Sequence, residues 1–192
     1  MPPHALSVHI HGGTVLPGLT SYGSTLGLSD VPSESSASNG QDPSLLTRHL
    51  YLDTKRLVPR AEDGLIFGGH ALRRAHASGV TTAVNVPATI GMFGGVSTHF
   101  DTGARTVLDA HSVRTSEVAL HERLAYPIDD HEPSLATQLA LLRSLLRNPP
   151  PGSVEWHRVS RVEWPLVVKT NAHDTVAKLL LLKSAEAQVD QI

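Results

Sequence analysis

The sequence predicts an α/β fold, and three stretches carry that expectation. In Gly69–Val86, Ala71, Leu72 and Ala75 share one helical face, Gly79 follows, and the β-branched run Val80–Val86 comes directly after it. This is how a helix closed by a left-handed residue passes into a strand. Between Ser134 and Arg147, the residues Leu135, Leu139, Leu142 and Leu146 lay an apolar stripe along a second helix. Within Trp164–Lys169 the apolar run Leu166-Val167-Val168 then reads as a short, fully buried strand, and Thr175–Ala187, capped by Asp174, as an apolar helix behind it. Such alternation implies parallel strands covered by helices.

Composition narrows the function classes. The 192 residues are 40% hydrophobic and 18% charged, with a formal net charge of -2, which suits one globular domain. Lys and Arg are scattered, so there is no electrostatic footprint for nucleic acid. No stretch is both long and apolar enough for a bilayer. The chain has no cysteine, which removes disulfides, thiolate nucleophiles and Cys-based zinc sites. MPPHALSVHI lacks the basic and apolar regions of a cleaved signal, and a cytoplasmic protein is expected. Twelve histidines call for a check of metal sites position by position.

In chain order, Val8–Leu16 is expected as a strand that puts His9 and His11 on one face. Two ligands leave a tetrahedral ion half coordinated, so this pair reads as ordinary strand histidines. His11–Leu28 (HGGTVLPGLTSYGSTLGL) is the stretch around which a site is expected: an apolar strand breaks at Pro17-Gly18 into a small-residue loop. Ser29–Pro43 is a Ser-, Pro-, Asn- and Gly-rich surface loop, and Leu45–Asp63 is irregular with a short helix near Leu45–Tyr51. Ala88–Thr102, with Gly91, Gly94 and Gly95, is expected as a flexible strand-to-helix loop, and it lacks the Gly-Lys-Ser/Thr ending of a phosphate-binding loop. A short strand at Thr106–Leu108 and a helix at Ser112–Leu124, with Val113, Glu117, Leu120 and Leu124 on one side, follow. Asp129, Asp130, His131 and Glu132 read as acidic residues complementing the dipole of the next helix, with Pro133 in its first turn. Asn148 and Pro149–Pro151 end that helix, and Val154–Val162 carries Trp156.

Taken in order, GGTVLPGL, ASGVTTAVNVP, SLATQLALLRSLL and PLVVKTNAHDTVAKLLLLK resemble the first part of an imidazolonepropionase-like chain of the amidohydrolase superfamily. The resemblance implies an incomplete TIM-barrel-like (β/α) domain over residues 17–192, with a loop near 29–43, preceded by a short β-segment, 1–16. In active relatives, zinc or another divalent metal at the strand C-termini activates water for attack on amide, lactam or amidine carbons. This sequence departs from that pattern. The positions matching the metal-binding His-x-His are Gly23 and Thr25, and the later segment reads Lys169-Thr170-Asn171-Ala172-His173-Asp174, with His173 about two residues late. Lys169 has the local position of a carbamylated, metal-bridging lysine but lacks imidazole partners. The last histidine and the catalytic aspartate are expected beyond Ile192, since a closed barrel takes about 250 residues.

No metal and no other cofactor is therefore expected, and no catalytic residue is assigned. The cleft candidates are Ser21, Tyr22, Gly23, Ser24, Thr25, Lys169, Asn171 and His173. Three functions compete. One is hydrolysis of non-peptide carbon–nitrogen bonds, inherited and lost or incomplete in this chain. The second is a non-catalytic binding or scaffold protein with a small-molecule ligand at the strand ends. The third is a fragment without independent function. Substrate and oligomeric state stay open.

Overall fold

The computed structural model describes residues 8–31, 34, 38–39, 58–89, 91–127 and 133–189, with backbone alone from 185. The stretch Leu45–Tyr51 and the cluster Asp129–Glu132 lie outside the described residues. The elements are β1 (Leu19–Tyr22), α1 (His70–Ala77), β2 (Val80–Asn85), β3 (Phe93–Val96), β4 (Thr98–Asp101), β5 (Val113–Thr115), β6 (Leu120–Arg123), α2 (Leu135–Arg147), α3 (Val154–Ser160), β7 (Leu166–Lys169) and α4 (His173–Val189). The α/β class holds, in two sheets of order β1-β2-β4-β5 and β3-β6-β7 that close no barrel among the described residues.

Each sheet contains one parallel pair made by a helical crossover. β1 pairs with β2 across α1, and β6 pairs with β7 across α2 and α3. Parallel neighbours require such crossovers because a tight turn can only reverse the chain. α1 ends as the sequence implies, with Gly79 at φ +91°, and its N-terminus is closed by Asp30, whose carboxylate accepts from the His70 and Ala71 amides at 2.9 and 2.5 Å. Those two bonds hold the Asp30 carboxyl below its usual pKa.

Several expectations are corrected. Val8–Leu16 forms no strand and its residues are exposed. Pairing starts after the Pro17-Gly18 break, where the Leu19 amide donates to the Gly79 carbonyl at 2.9 Å. Proline has no amide to give, and a Cβ at Gly18 would stand 2.2 Å from the Thr81 hydroxyl.

The loop expected at Ala88–Thr102 is largely two strands, β3 and β4, and the chain passes from one sheet to the other at buried Ser97. The Ser97 amide donates to Ala119 and its carbonyl accepts from Val118, at 3.0 and 2.9 Å. Gly95, at φ +92°, lets β3 pass beside Pro59, whose carbonyl a Cβ would meet at 2.3 Å.

The helix expected at Ser112–Leu124 is instead β5 and β6. Leu120 and Leu124 are both buried, and residues four apart share a face of a strand as well as of a helix. Glu117 lies between the two strands, where it is ion-paired with Arg60 and Arg158. Thr106–Leu108 is a turn rather than a strand, organised by Asp109, whose carboxylate accepts from the Arg105 amide at 2.7 Å.

α2 starts one residue later than Ser134, whose hydroxyl caps it by accepting from the Thr137 amide at 3.2 Å, so Pro133 lies outside the helix. Leu135, Leu139, Leu142 and Leu145 pack with Trp156 and Val159 of α3 and with Met92, Val96, Leu120 and Leu124 under the second sheet. β7 is half-buried rather than fully buried because it is an edge strand. α4 begins at His173, so Asp174 sits in its first turn instead of capping it. Only Leu182 of its leucines is buried, and Leu180 and Leu181 are exposed. No helix among the described residues is long and apolar enough to cross a membrane.

Leu142→Ala is expected to cost about 2–5 kcal/mol, whereas Leu181→Ala, at a position 71% exposed, should change stability by less than about 0.5 kcal/mol. Chemical denaturation of the two variants measures the contrast.

Candidate functional site

The C-terminal ends of β1, β2, β6 and β7 converge on one cavity of about 670 Å³. Gly23, Ser24 and Thr25 line it after β1, Val86–Thr89 after β2, Arg123 at the end of β6 and Lys169 at the end of β7. This is the end of an α/β sheet at which ligands bind, because loops there are free to vary while the strands hold them in place. Asn85, fully buried at the end of β2, fixes the first wall: its amide donates to the Leu26 carbonyl and its oxygen accepts from the Ser24 hydroxyl at 3.2 Å. Ser21 donates to Ser24 at 2.9 Å.

The second wall follows from the register of β6 on β7, which places His121 opposite Val167 and Arg123 opposite Lys169. Side chains alternate along a strand. His121, Arg123, Val167 and Lys169 therefore share one face, and Leu120, Glu122, Leu166 and Val168 share the other. Leu120, Leu166 and Val168 belong to the core under α2 and α3, so the first set faces the cavity. Glu122 also borders the cavity, but alternation groups its side chain with the core leucines.

Two buried titratable groups result. His121 is 9% exposed and its Nε2 has no hydrogen-bond partner among the described residues. Burial pulls its pKa down to about 4, so the ring is a neutral imidazole at pH 7. The Tyr22 ring lies 6.2 Å from it, bringing β1 and β6 together, and its partial desolvation raises the Tyr22 pKa although much of the side chain is exposed. Glu122 is 2% exposed with Oε2 unpaired among the described residues, and burial pushes its carboxyl well above the usual range.

Of the residues singled out in sequence, Gly23, Ser24, Thr25 and Lys169 border the cavity. Ser21 supports Ser24, and Tyr22 is exposed beside His121. Asn171 and His173 are exposed and do not line it; the His173 side chain is 96% exposed and lies 3.3 Å from Asp174. His121, Glu122 and Arg123 escaped the sequence reading because a helix was assigned over them. The β-branched Val113, Thr115 and Val118 ahead of that charged triplet were the available signal for strands.

The donor set does not fit the metal that the resemblance implies. Gly23 and Thr25 offer no imidazole, and alternation directs His121 and Glu122 to opposite faces. Among the described residues no group of three or more His, Cys, Asp or Glu side chains could hold an ion, whereas a catalytic site of this type uses about three protein ligands and an open position.

Strand–helix–strand units with a cavity at their C-terminal ends are the arrangement of an α/β protein. No family model matches the chain. Over 109 residues it is 38% identical to the amidohydrolase tasK of Hapsidospora irregularis, a match that takes in 53% of this chain and 10% of that protein. Its fold is similar to that of an amidohydrolase from Thermotoga maritima MSB8, with a TM-score of 0.69 at 15% identity over 90% of this chain and 49% of that one. These likenesses support an amidohydrolase-superfamily relationship. The chain spans about a tenth of the length of the curated relative and about half of the solved structure.

The folded-state pKa of Glu122 is raised, whereas an unfolded glutamate titrates near 4.3. The native chain thus retains a proton that the unfolded chain has shed, and stability falls as pH rises above that value. Glu122→Gln is expected to raise the thermal midpoint relative to the parent at pH 8, by about 2–4 °C per kcal/mol relieved, and to narrow the gap toward pH 4. Thermal unfolding across that pH range checks the sign.

Proposed function

We propose that this chain is a small-molecule-binding relative of the amidohydrolases, built as part of a (β/α) barrel, in which metal-dependent hydrolysis of non-peptide carbon–nitrogen bonds has been lost. One observation carries the reading: the cavity at the strand ends is retained while the residues at its first wall are Gly23, Ser24 and Thr25. Water activation needs a cation held by several imidazole or carboxylate groups with one position open. Ligand binding needs only a shaped cavity with a few fixed polar groups, and a volume of about 670 Å³ lies within the usual range of roughly 300–1,000 Å³. Asn85 and Ser21 fix the Ser24 hydroxyl, and the strand register fixes His121, Arg123 and Lys169. The parallel pairs β1–β2 and β6–β7, with their ends at one cavity, support the part-barrel reading.

The test is metal loading followed by turnover. Protein incubated with zinc or manganese and then desalted should retain well below one equivalent and leave amide, lactam and amidine substrates at the uncatalysed rate. Stoichiometric metal together with turnover would show that hydrolysis survives.

A further inference from the structure

Resting on the part-barrel reading above, we infer that two copies of this chain close on one another, β1 of each pairing in parallel with β7 of the other, so that their cavities open into one shared site. β1 and β7 are the open ends of a single run of strands, because the two sheets are joined where β3 passes into β4 at Ser97. The Leu19 and Gly23 amides donate toward β2, and the Pro165 and Lys169 carbonyls accept from β6. Main-chain groups alternate along a strand between its two sides. Those of Thr20, Tyr22, Leu166 and Val168 therefore face the open edges, where no strand meets them among the described residues. Unpaired edge groups are a template for another strand.

The partner that fits both edges at once is a second copy. The parallel strands all end at the one cavity, and the Tyr22 and His121 rings, 6.2 Å apart, show that the run curves around that side. A two-fold axis along the strands thus sets β7 of each copy beside β1 of the other, parallel in both seams, which is the closure of a symmetric dimer. The apolar surfaces agree with this placement. Tyr22 faces the cavity, so alternation turns Leu19, 63% exposed, to the outer face. Leu166 and Val168 share that outer face, and with Leu179 and Leu180 of α4 they line an open groove of about 1080 Å³. Each seam therefore brings an exposed leucine toward an exposed apolar groove. One copy corresponds to about half of the Thermotoga maritima amidohydrolase fold, the share that a two-fold closure requires. Lys169, at the end of β7, then stands beside the Gly23-Ser24-Thr25 wall of the other copy.

Sedimentation of the full chain at micromolar concentration should give twice the 20.5 kDa of one copy. Val168→Pro removes an amide that faces the open edge and keeps the bonds to β6, and Leu19→Asp puts a charge into the apolar seam. Each should raise the dimer dissociation constant by about tenfold or more while keeping the circular dichroism of the parent. The absence of cysteine permits a cross-link that depends on neither variant. After mixing and exchange, a short bismaleimide should join chains carrying Leu19→Cys to chains carrying Leu166→Cys, and should join neither to itself. Leu166→Cys joined to itself, the mark of an antiparallel β7 seam, overturns the inference. So does Leu19→Cys joined to itself, a monomer, or a dimer that both edge variants leave intact. Any of these results in protein that retains no metal overturns this inference alone, whereas stoichiometric metal with turnover overturns the loss of hydrolysis and not the dimer.

Discussion

The parallel register of β6 on β7 is the constraint on which the site depends. By setting Leu120 against Leu166 and Arg123 against Lys169, it decides in one step which side chains enter the core and which reach the cavity. A slip of one residue would send Arg123 and His121 into the leucines of α2 and expose Leu120 and Glu122. The register is held from the core side by apolar burial of Leu120 and Leu124 with Leu139, Leu142 and Trp156. It is also held from the loop side, where the Ser97 backbone exchanges hydrogen bonds with Val118 and Ala119 and where Glu117 pairs with Arg60 and Arg158. The guanidinium of Arg158 also lies 4.0 Å over the Trp164 ring, which ties the segment before β7 to the same knot.

Where local chemistry had one solution, the elements could be read from the residues. Gly79 could only end α1, since a left-handed residue there suits glycine, and the β-branched residues after it could only extend. The leucine stripe of α2 has a helical period over about three turns, with proline beyond it. Elsewhere two solutions were open. Leu120 and Leu124 satisfy strand and helix alike, and the choice was made by Val96 and Trp156, which are distant in sequence. The glycines of the Ala88–Thr102 stretch look like flexibility, yet Gly95 is there because Pro59 leaves no room for a Cβ. The apolar run Thr14–Leu16 looks like a strand, but pairing begins only after Pro17-Gly18.

The site divides in the same way. Gly23, Ser24, Thr25 and Lys169 were read from the sequence as lying at or just after strand ends, where cavities open in α/β units, and they border the cavity. His121 and Arg123 were not legible, because their placement is a consequence of strand pairing that no local pattern reveals. The superfamily relationship is therefore a guide to architecture more than to chemistry. The scaffold keeps a ligand-sized space, and the polar residues that line it include Ser24, Thr25, Glu34, His121, Glu122, Arg123 and Lys169.

The most direct measurement of this account is the titration of His121 by NMR, assigned through His121→Gln. A ring buried against the cavity on β6 should titrate near pH 4 and remain neutral through the physiological range. Titration near the unperturbed value of about 6.5 would place the ring in solvent and contradict the burial that the register gives this wall of the cavity.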